Sequence, residues 1–564
     1  METRVIVFLL LSLAIIFGYD YVLKQLGWLP QAPVTEEAPV PPAGSSTSVS
    51  AAAQEQPGLS MAAREPGPIQ PHGATKEAAF REPVARSAES IEVETDLYRA
   101  KWTTRGAVLT SWELKRYRRS TDDESPVQLV RPDGKLPGPL AVASEDAALS
   151  KELGEGLYSV EKDFAILDQQ HPTGHVTFRY DNGEKGVRVE KQLTFHAGSY
   201  LVDVAVRTSG IQGAVKVGLG TNFGIVEWGD GFIGHIGAAS LVDGRVEKDT
   251  PDTEVERQGA VQWAALQDKY FLSVLIPEQA SAVTVKKEGD KLVSAAVRLP
   301  VAGSDSMLNL RLYAGPKEYD TLRSLQIGLE DTIDFGWFIF GSWSIVRAVA
   351  KPIFYVLRFI NDYTHNFGVS IVLLTVAIKM LFVPLQYKSY KSMKQMQVIQ
   401  PKIQAIQEKY KDDRDRLNKE LIKVYRDHKV NPVGGCLPMV LQMPVFVALF
   451  NILYMTIDLR QAPLGLWIND LSVQDPYYVL PIVMGVTMVI QQKITPTTMD
   501  PTQAKIMLLL PAFMTFLFIN FPAGLVLYWL TNNVLTIGQQ ILTDRFIFRK
   551  RPLLATDVEG AGKK

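Results

Sequence analysis

A chain of 564 residues exceeds what one hydrophobic core ordinarily holds, so at least two domains are expected. Its 59 basic and 60 acidic residues nearly cancel, yet residues 1–336 carry a net −12 and residues 337–564 a net +11, which describes two physically different halves. The single cysteine, Cys436, excludes an intramolecular disulfide, a Cys-x-x-Cys redox pair and a multi-cysteine zinc site, and none of the seven histidines forms His-Glu-x-x-His.

The chain opens on an apolar run from Val5 to Tyr19, preceded by Arg4 and extended by Val22 and Leu23. That is close to the ~20 residues a membrane-crossing helix needs. A cleaved signal peptide opens the same way, but the flank Tyr19-Asp20-Tyr21-Val22-Leu23-Lys24 offers no small-x-small cleavage site. An uncleaved anchor over 1–26 is therefore favoured. Residues 27–90 read as a flexible tether: between Pro30 and Pro83 lie ten prolines among Ala, Ser, Gly, Glu and Gln. Such a segment buries too little apolar surface to offset its ordering entropy.

Residues 91–320 change to short runs of period two. Val187, Val189, Leu193 and Phe195 form one, Val202, Val204 and Val206 a second, and Leu308, Leu310 and Leu312 a third. This spacing predicts half-buried strands, with turns at Asp181-Asn182-Gly183 and Ser209-Gly210, and hence a large antiparallel β-sandwich. Gly218-Leu219-Gly220 with Gly224 has the wrong spacing for a dinucleotide loop, and neither Gly-x-Ser-x-Gly nor a Walker A sequence occurs. A binding or spacing role fits this region better than catalysis.

Over 335–362 the apolar sequence is interrupted by Arg347, Lys351 and Arg358, whose spacing sets them on one helical face, and by Pro352, expected to break the centre. A helix lying in the membrane interface is predicted, because burying three cations in hydrocarbon costs several kcal/mol. A five-helix core at 366–542 follows, with spans near 367–387, 436–457, 477–492, 506–521 and 525–542. The intervening 388–435 holds twelve Lys/Arg. It also repeats apolar residues at helical spacing (Met396, Ile399, Ile403, Ile406, Tyr410, then Leu417, Leu421, Val424, Tyr425) around Asp412-Asp413. That predicts a cytoplasmic helical hairpin. Its charge serves equally as a topological signal or as a surface for an anionic partner such as ribosomal RNA or lipid headgroups. The basic tail 543–564 falls on the same side, the loop 458–475 is acidic, and six spans with both termini cytoplasmic put the sandwich outside.

One residue breaks the apolar pattern of the 367–387 span. Lys379 lies among Ile371-Val372-Leu373-Leu374-Thr375-Val376-Ala377-Ile378, where a lysine costs about 2.5–3.5 kcal/mol. Snorkelling or a buried ion pair would explain it, but the other core spans bring no Asp or Glu to that depth. Thr375 and Gln386 share its face. Asn532, Thr536 and Gln540 repeat at intervals of four; Gln442, Asn451, Thr487 and Gln491 add polar positions. Taken singly these are interhelical glue; with Lys379 they point to a hydrated pocket. No carboxylate chain suited to a proton relay is present in the spans.

At these residues the chain resembles the bacterial branch of the YidC/Oxa/Alb membrane-protein insertase family. The resemblance is carried by Asn431 to Pro444 (Asn-Pro-Val-Gly-Gly-Cys-Leu-Pro-Met-Val-Leu-Gln-Met-Pro), Leu459 to Ser472, Gln474 to Tyr478 and Phe521 to Tyr528. Gln400-Pro-Lys-Ile403 and Tyr313-Ala-Gly-Pro316 add to it. It covers nearly everything except the tether. It implies an N-terminal anchor plus a five-helix insertase core and a periplasmic β-sandwich similar to sugar-mutarotase-like folds. The function implied is a membrane insertase and chaperone of the bacterial inner membrane, working without ATP hydrolysis, alone or with the Sec translocon (SecYEG and SecDF). The implied partners are nascent membrane proteins, the lipid bilayer and, through the hairpin and basic tail, the ribosome; no cofactor or metal is implied. The family's groove residues map onto Lys379, Thr375 and Trp529, with Gln442, Asn532 and Thr536 as polar neighbours. Where the family commonly has arginine this chain has Lys379, which keeps the charge and loses the planar fork. Trp529 stands where tyrosine is usual. Two other function classes remain in view: a small-anion transporter using the same lysine, and a carbohydrate-active sandwich anchored by the rest.

Overall fold

The computed structural model describes residues 87–131, 138–228, 234–250, 252, 254–335, 337–338, 341–342, 344–411, 413–428, 430, 437–495 and 509–545. All belong to one compact unit, Val84–Lys564. The predicted anchor, the tether up to residue 86 and the basic tail beyond residue 545 lie outside the described residues; the predicted tether end at 90 runs into the first strand, which begins at Ser90.

The period-two runs are strands. A nine-stranded antiparallel sheet runs in the order Arg245–Asp249, Gly237–Val242, Val261–Gln267, Phe271–Pro277, Asp305–Pro316, Leu201–Ser209, Val187–His196, Thr173–Asn182, Ser159–Lys162. A five-stranded sheet is ordered Val255–Gln258, Ala282–Gly289, Leu292–Pro300, Ala214–Thr221, Val142–Ser144. A third, of four strands, is a meander from Ser90–Glu94 through Tyr98–Thr103 and Val108–Arg118 to Pro126–Gln128. Every residue named above for the three strand predictions is buried, as alternation against a core requires. Asp181-Asn182-Gly183 and Ser209-Gly210 close strands as expected. Gly218-Leu219-Gly220 is a register-shifting bulge in the strand Ala214–Thr221, which explains its glycines without a phosphate. The four-stranded sheet contributes two of the largest fully buried rings, Trp102 and Trp112: Trp112 stacks on Tyr98 at 4.1 Å and meets Trp102 and Phe223 edge-on, both at 6.3 Å.

One inward position of the strand Val187–His196 is not apolar. Lys191 is wholly buried, and its Nζ donates to the carbonyls of Ala107 at 2.8 Å and Leu140 at 2.6 Å. Both acceptors belong to non-glycine residues in the left-handed region, φ 48° and 63°, a conformation that costs roughly 1–2 kcal/mol each. The lysine thus fastens two strained corners to the sheet. Burial without a carboxylate pushes its pKa down to about 7, and burial does the same to Lys317. Between pH 7 and about 9.5 the unfolded chain keeps protons that the folded chain has released, so stability rises with pH across that window. In a thermal melt of the full chain, Lys191→Met should reduce this slope by one proton's share. An unchanged slope would mean that Lys191 stays charged in the fold.

Nine α-helices lie among the described residues. α1 (Ala147–Glu155) and α2 (Tyr319–Ser324) belong to the sandwich. α3 (Ser344–Thr364) is continuous, so the predicted break at Pro352 does not occur. The missing N–H is tolerated because Val346, Ala350, Phe354 and Leu357 anchor both sides of the proline in one buried face. α4 (Phe367–Lys409) fuses the predicted 367–387 span with the first arm of the hairpin into one 43-residue helix that includes Pro384 and Pro401. α5 (Arg414–Asp427) is the second arm; Asp413 caps it, its carboxylate accepting from Arg416 N at 3.0 Å. Ile399, Ile403 and Val430 form the hairpin's own core, with Met396, Leu421, Val424 and Tyr425 packed against it.

The remaining helices are α6 (Leu437–Met455), α7 (Val479–Ile494), α8 (Leu510–Phe518) and α9 (Ala523–Thr543). Among the described residues α4 alone is long and apolar enough to cross a membrane; α6 over Val440–Met455 and α7 are apolar but shorter. α9 has the length, but Asn532, Asn533, Gln539 and Gln540 dilute its apolar content.

Candidate functional site in the helical core

The helices meet through small residues and side-chain hydrogen bonds. A Cβ at Gly485 on α7 would collide with the Thr515 hydroxyl on α8, so close packing of those helices depends on glycine there. Asp475, in the motif before α7, accepts from Leu480 N at 2.7 Å, Tyr477 N at 3.0 Å and Trp467 Nε1 at 3.0 Å. It satisfies backbone donors at the helix start and fixes the preceding loop.

Within this frame Lys379 projects from α4 toward α9. It is 7% exposed, and its Nζ donates to Thr536 Oγ1 at 2.8 Å. The Thr536 hydroxyl in turn donates to Asn532 O at 2.6 Å, and Gln442 Nε2 on α6 reaches Asn532 Oδ1 at 3.4 Å. Four of the six predicted residues, Lys379, Thr536, Asn532 and Gln442, therefore form one polar chain across three helices. No carboxylate pairs with Lys379 among the described residues. An ammonium on a neutral hydroxyl keeps two N–H groups available to another acceptor.

Thr375 is buried one turn from Lys379, but its hydroxyl donates to Ile371 O of its own helix at 2.6 Å. Trp529 belongs to an aromatic cluster, edge-on to Phe446 at 4.9 Å and to Phe518 at 4.7 Å. It joins α6, α8 and α9 and forms an apolar counterpart to the lysine chain.

Other polar positions singled out in the sequence serve different contacts. Gln540 donates to Thr495 at 2.9 Å and Asn533 to Thr487 at 3.4 Å, which ties α9 to α7 and away from Lys379. Asn451 donates to Phe335 O at 2.9 Å, linking α6 to the segment that leaves the sandwich. That junction escaped the sequence reading altogether. Arg460, whose side chain is 6% exposed, donates to the carbonyls of Arg118 at 2.7 Å and Arg119 at 2.8 Å, and Gln461 adds a bond of 2.8 Å to Arg118 O. Lys269 lies 3.8 Å over the Tyr454 ring. The one available signal was a solitary arginine in an acidic loop. Arg460→Ala should speed amide exchange around residues 116–120 several-fold while leaving α9 protected; unchanged exchange there would show that the junction does not depend on this guanidinium.

At the other end, Asp544 accepts from Tyr390 Oη at 2.6 Å and pairs with Lys394 at 3.4 Å, joining the end of α9 to the base of the hairpin.

Two family models match the chain: the YidC periplasmic domain over residues 90–356, and the 60Kd inner membrane protein over residues 359–550. A membrane protein insertase YidC from Geotalea daltonii is 38% identical over 558 residues, covering 96% of this chain and 98% of its own. One from Geobacter metallireducens is 37% identical over 564 residues, covering 97% and 99%. A crystal structure of an active YidC insertase with its first transmembrane domain resolved is 19% identical; it covers 81% of this chain and 93% of its own at a TM-score of 0.34.

Proposed function

The chain belongs to the YidC family of membrane protein insertases, and from that premise we propose that it moves nascent membrane proteins into the bilayer through a groove built on Lys379. It is an insertase and not an enzyme, and an inner-membrane protein with a periplasmic domain. The supporting observation is the lysine's setting: a cation deep in an apolar helix cluster, hydrogen-bonded to a hydroxyl and with no carboxylate pairing among the described residues.

In this reading a short polar segment of the substrate, often acidic, exchanges water for Lys379, Thr536, Asn532 and Gln442 halfway across the membrane. Staging the transfer lowers the cost of taking charge through hydrocarbon. Thr375 and the face of Trp529 line the path, and the substrate's apolar helix leaves sideways into lipid along α6 and α8. Burial then drives the process, at about 0.8 kcal/mol for each CH₂ removed from water. The membrane potential adds about 2.3 kcal/mol per charge per 100 mV, favouring outward movement of acidic segments. No nucleotide is consumed.

The same reading assigns residues 1–26 as an anchor, 27–90 as a tether, 91–320 as the sandwich, 335–362 as an interfacial helix, 366–542 as the core with its hairpin at 388–435, and 543–564 as a tail. Six spans leave both termini in the cytoplasm, where hairpin and tail meet the ribosome; the Sec translocon assists some substrates. Photocrosslinkers at Thr375 and Trp529 should capture stalled nascent chains, whereas one at Val246 on the sandwich surface should not. Capture from neither groove position would overturn the assignment.

A further inference from the structure

α3 presents three faces. Val346, Ala350, Phe354 and Leu357 are buried against the protein. Ile345, Val356, Phe359 and Tyr363 recur at spacings of eleven, three and four, which places them on one opposite stripe; Phe359 is 59% exposed and Tyr363 73%. A soluble surface rarely keeps such a stripe without an apolar neighbour.

The third face is basic, and its cations are not equivalent. Arg358 is held by Asp320. Arg347 has Asp331 only at 4.0 Å, and Lys351 has no ion-pair partner among the described residues. Beside these two lies a cleft of about 380 Å³, lined by Ser344, Arg347, Ala348 and Lys351. It is an open depression along one helix, and its charged lining suits an anion. Apolar stripe, cleft and unneutralised cations all belong to one helix.

We propose that this cleft binds the phosphodiester of an anionic phospholipid of the outer leaflet, with the acyl chains lying along the stripe of Ile345, Val356 and Phe359. The inference rests on α3 lying at the membrane surface, as assigned above. A guanidinium grips two phosphate oxygens together while the ammonium acts as a point charge. A headgroup with net charge −1 is preferred over a zwitterionic one, whose own ammonium competes with Lys351. The bound lipid would fix the depth of α3, and so of the helices α4 and α6 against which it packs.

The test uses the full chain in nanodiscs containing phosphatidylglycerol and phosphatidylethanolamine, with retained lipids counted by native mass spectrometry. Wild type should retain phosphatidylglycerol preferentially. The double variant Arg347→Gln/Lys351→Gln should lose about tenfold of that preference, and Arg358→Gln, which removes a neutralised cation, should not. Equal retention by wild type and the double variant would overturn the proposal. So would displacement of the lipid by millimolar inorganic phosphate without loss of α3 depth, because it would mark a site for the free ion. Depth is read separately, by spin-labelled lipids quenching a fluorophore at Phe359→Cys. Quenching without headgroup preference defeats the cleft alone; absence of quenching also removes the interfacial assignment, and neither result bears on crosslinking at Thr375.

Discussion

Lys379→Ala should lose most insertion of substrates whose translocated segment is acidic, and Lys379→Arg should retain it. The alanine variant removes the cation and leaves the Thr536 hydroxyl facing a void, with its bond to Asn532 O intact. An acidic side chain passing that depth would then meet only neutral groups. Losing a charge-assisted hydrogen bond worth about 1.5–3 kcal/mol slows transfer roughly ten- to a hundredfold. Arginine keeps the charge and adds a fork. The check is complementation of a depleted strain, with protein levels matched and one acidic and one uncharged substrate followed in parallel. Equal activity of wild type, alanine and arginine variants on both would remove Lys379 from the mechanism. Equal losses on both would indicate a packing role instead.

The second large effect belongs to the sandwich. Trp112→Ala should destabilise that domain by about 3–5 kcal/mol. The indole is fully buried, stacked on Tyr98 and in edge contact with Trp102 and Phe223, so its removal opens a cavity among rigid rings that cannot close it. Hydrogen exchange on the full chain should show the strands from Ser90 to Gln128 losing protection first. The Lys379 chain, which contains no residue of the sandwich, should stay intact. An effect below 1 kcal/mol would mean that the four-stranded sheet is loosely packed despite its geometry.

What the sequence made legible follows from the range of the forces involved. Alternation at Val187, Val189, Leu193 and Phe195 is a local consequence of pleating, so the strand could be read from ten residues. Lys191 could not be placed, because its two acceptors lie 84 and 51 residues away in sequence. Pro352 misled as a break for a related reason: a proline costs about 3 kcal/mol in an isolated helix, and the buried residues on either side of it outweigh that cost. The polar stripe Asn532–Thr536–Gln540 was visible as a period of four, but its division between α4 and α7 depends on which helices stand beside it. Lys379 stood out because a charge in an apolar run is conspicuous without any neighbour; Arg460 sat in a polar loop and did not.

α4 carries a mechanical consequence. At 1.5 Å per residue its 43 residues make a strut of about 65 Å, and about 45 Å of it separates Lys379 from the hairpin tip. Asp544 clasps the strut near Tyr390, roughly a third of the way along that lever arm. A sideways load at the tip therefore turns about this fulcrum and reaches the lysine reversed in direction and scaled down roughly twofold.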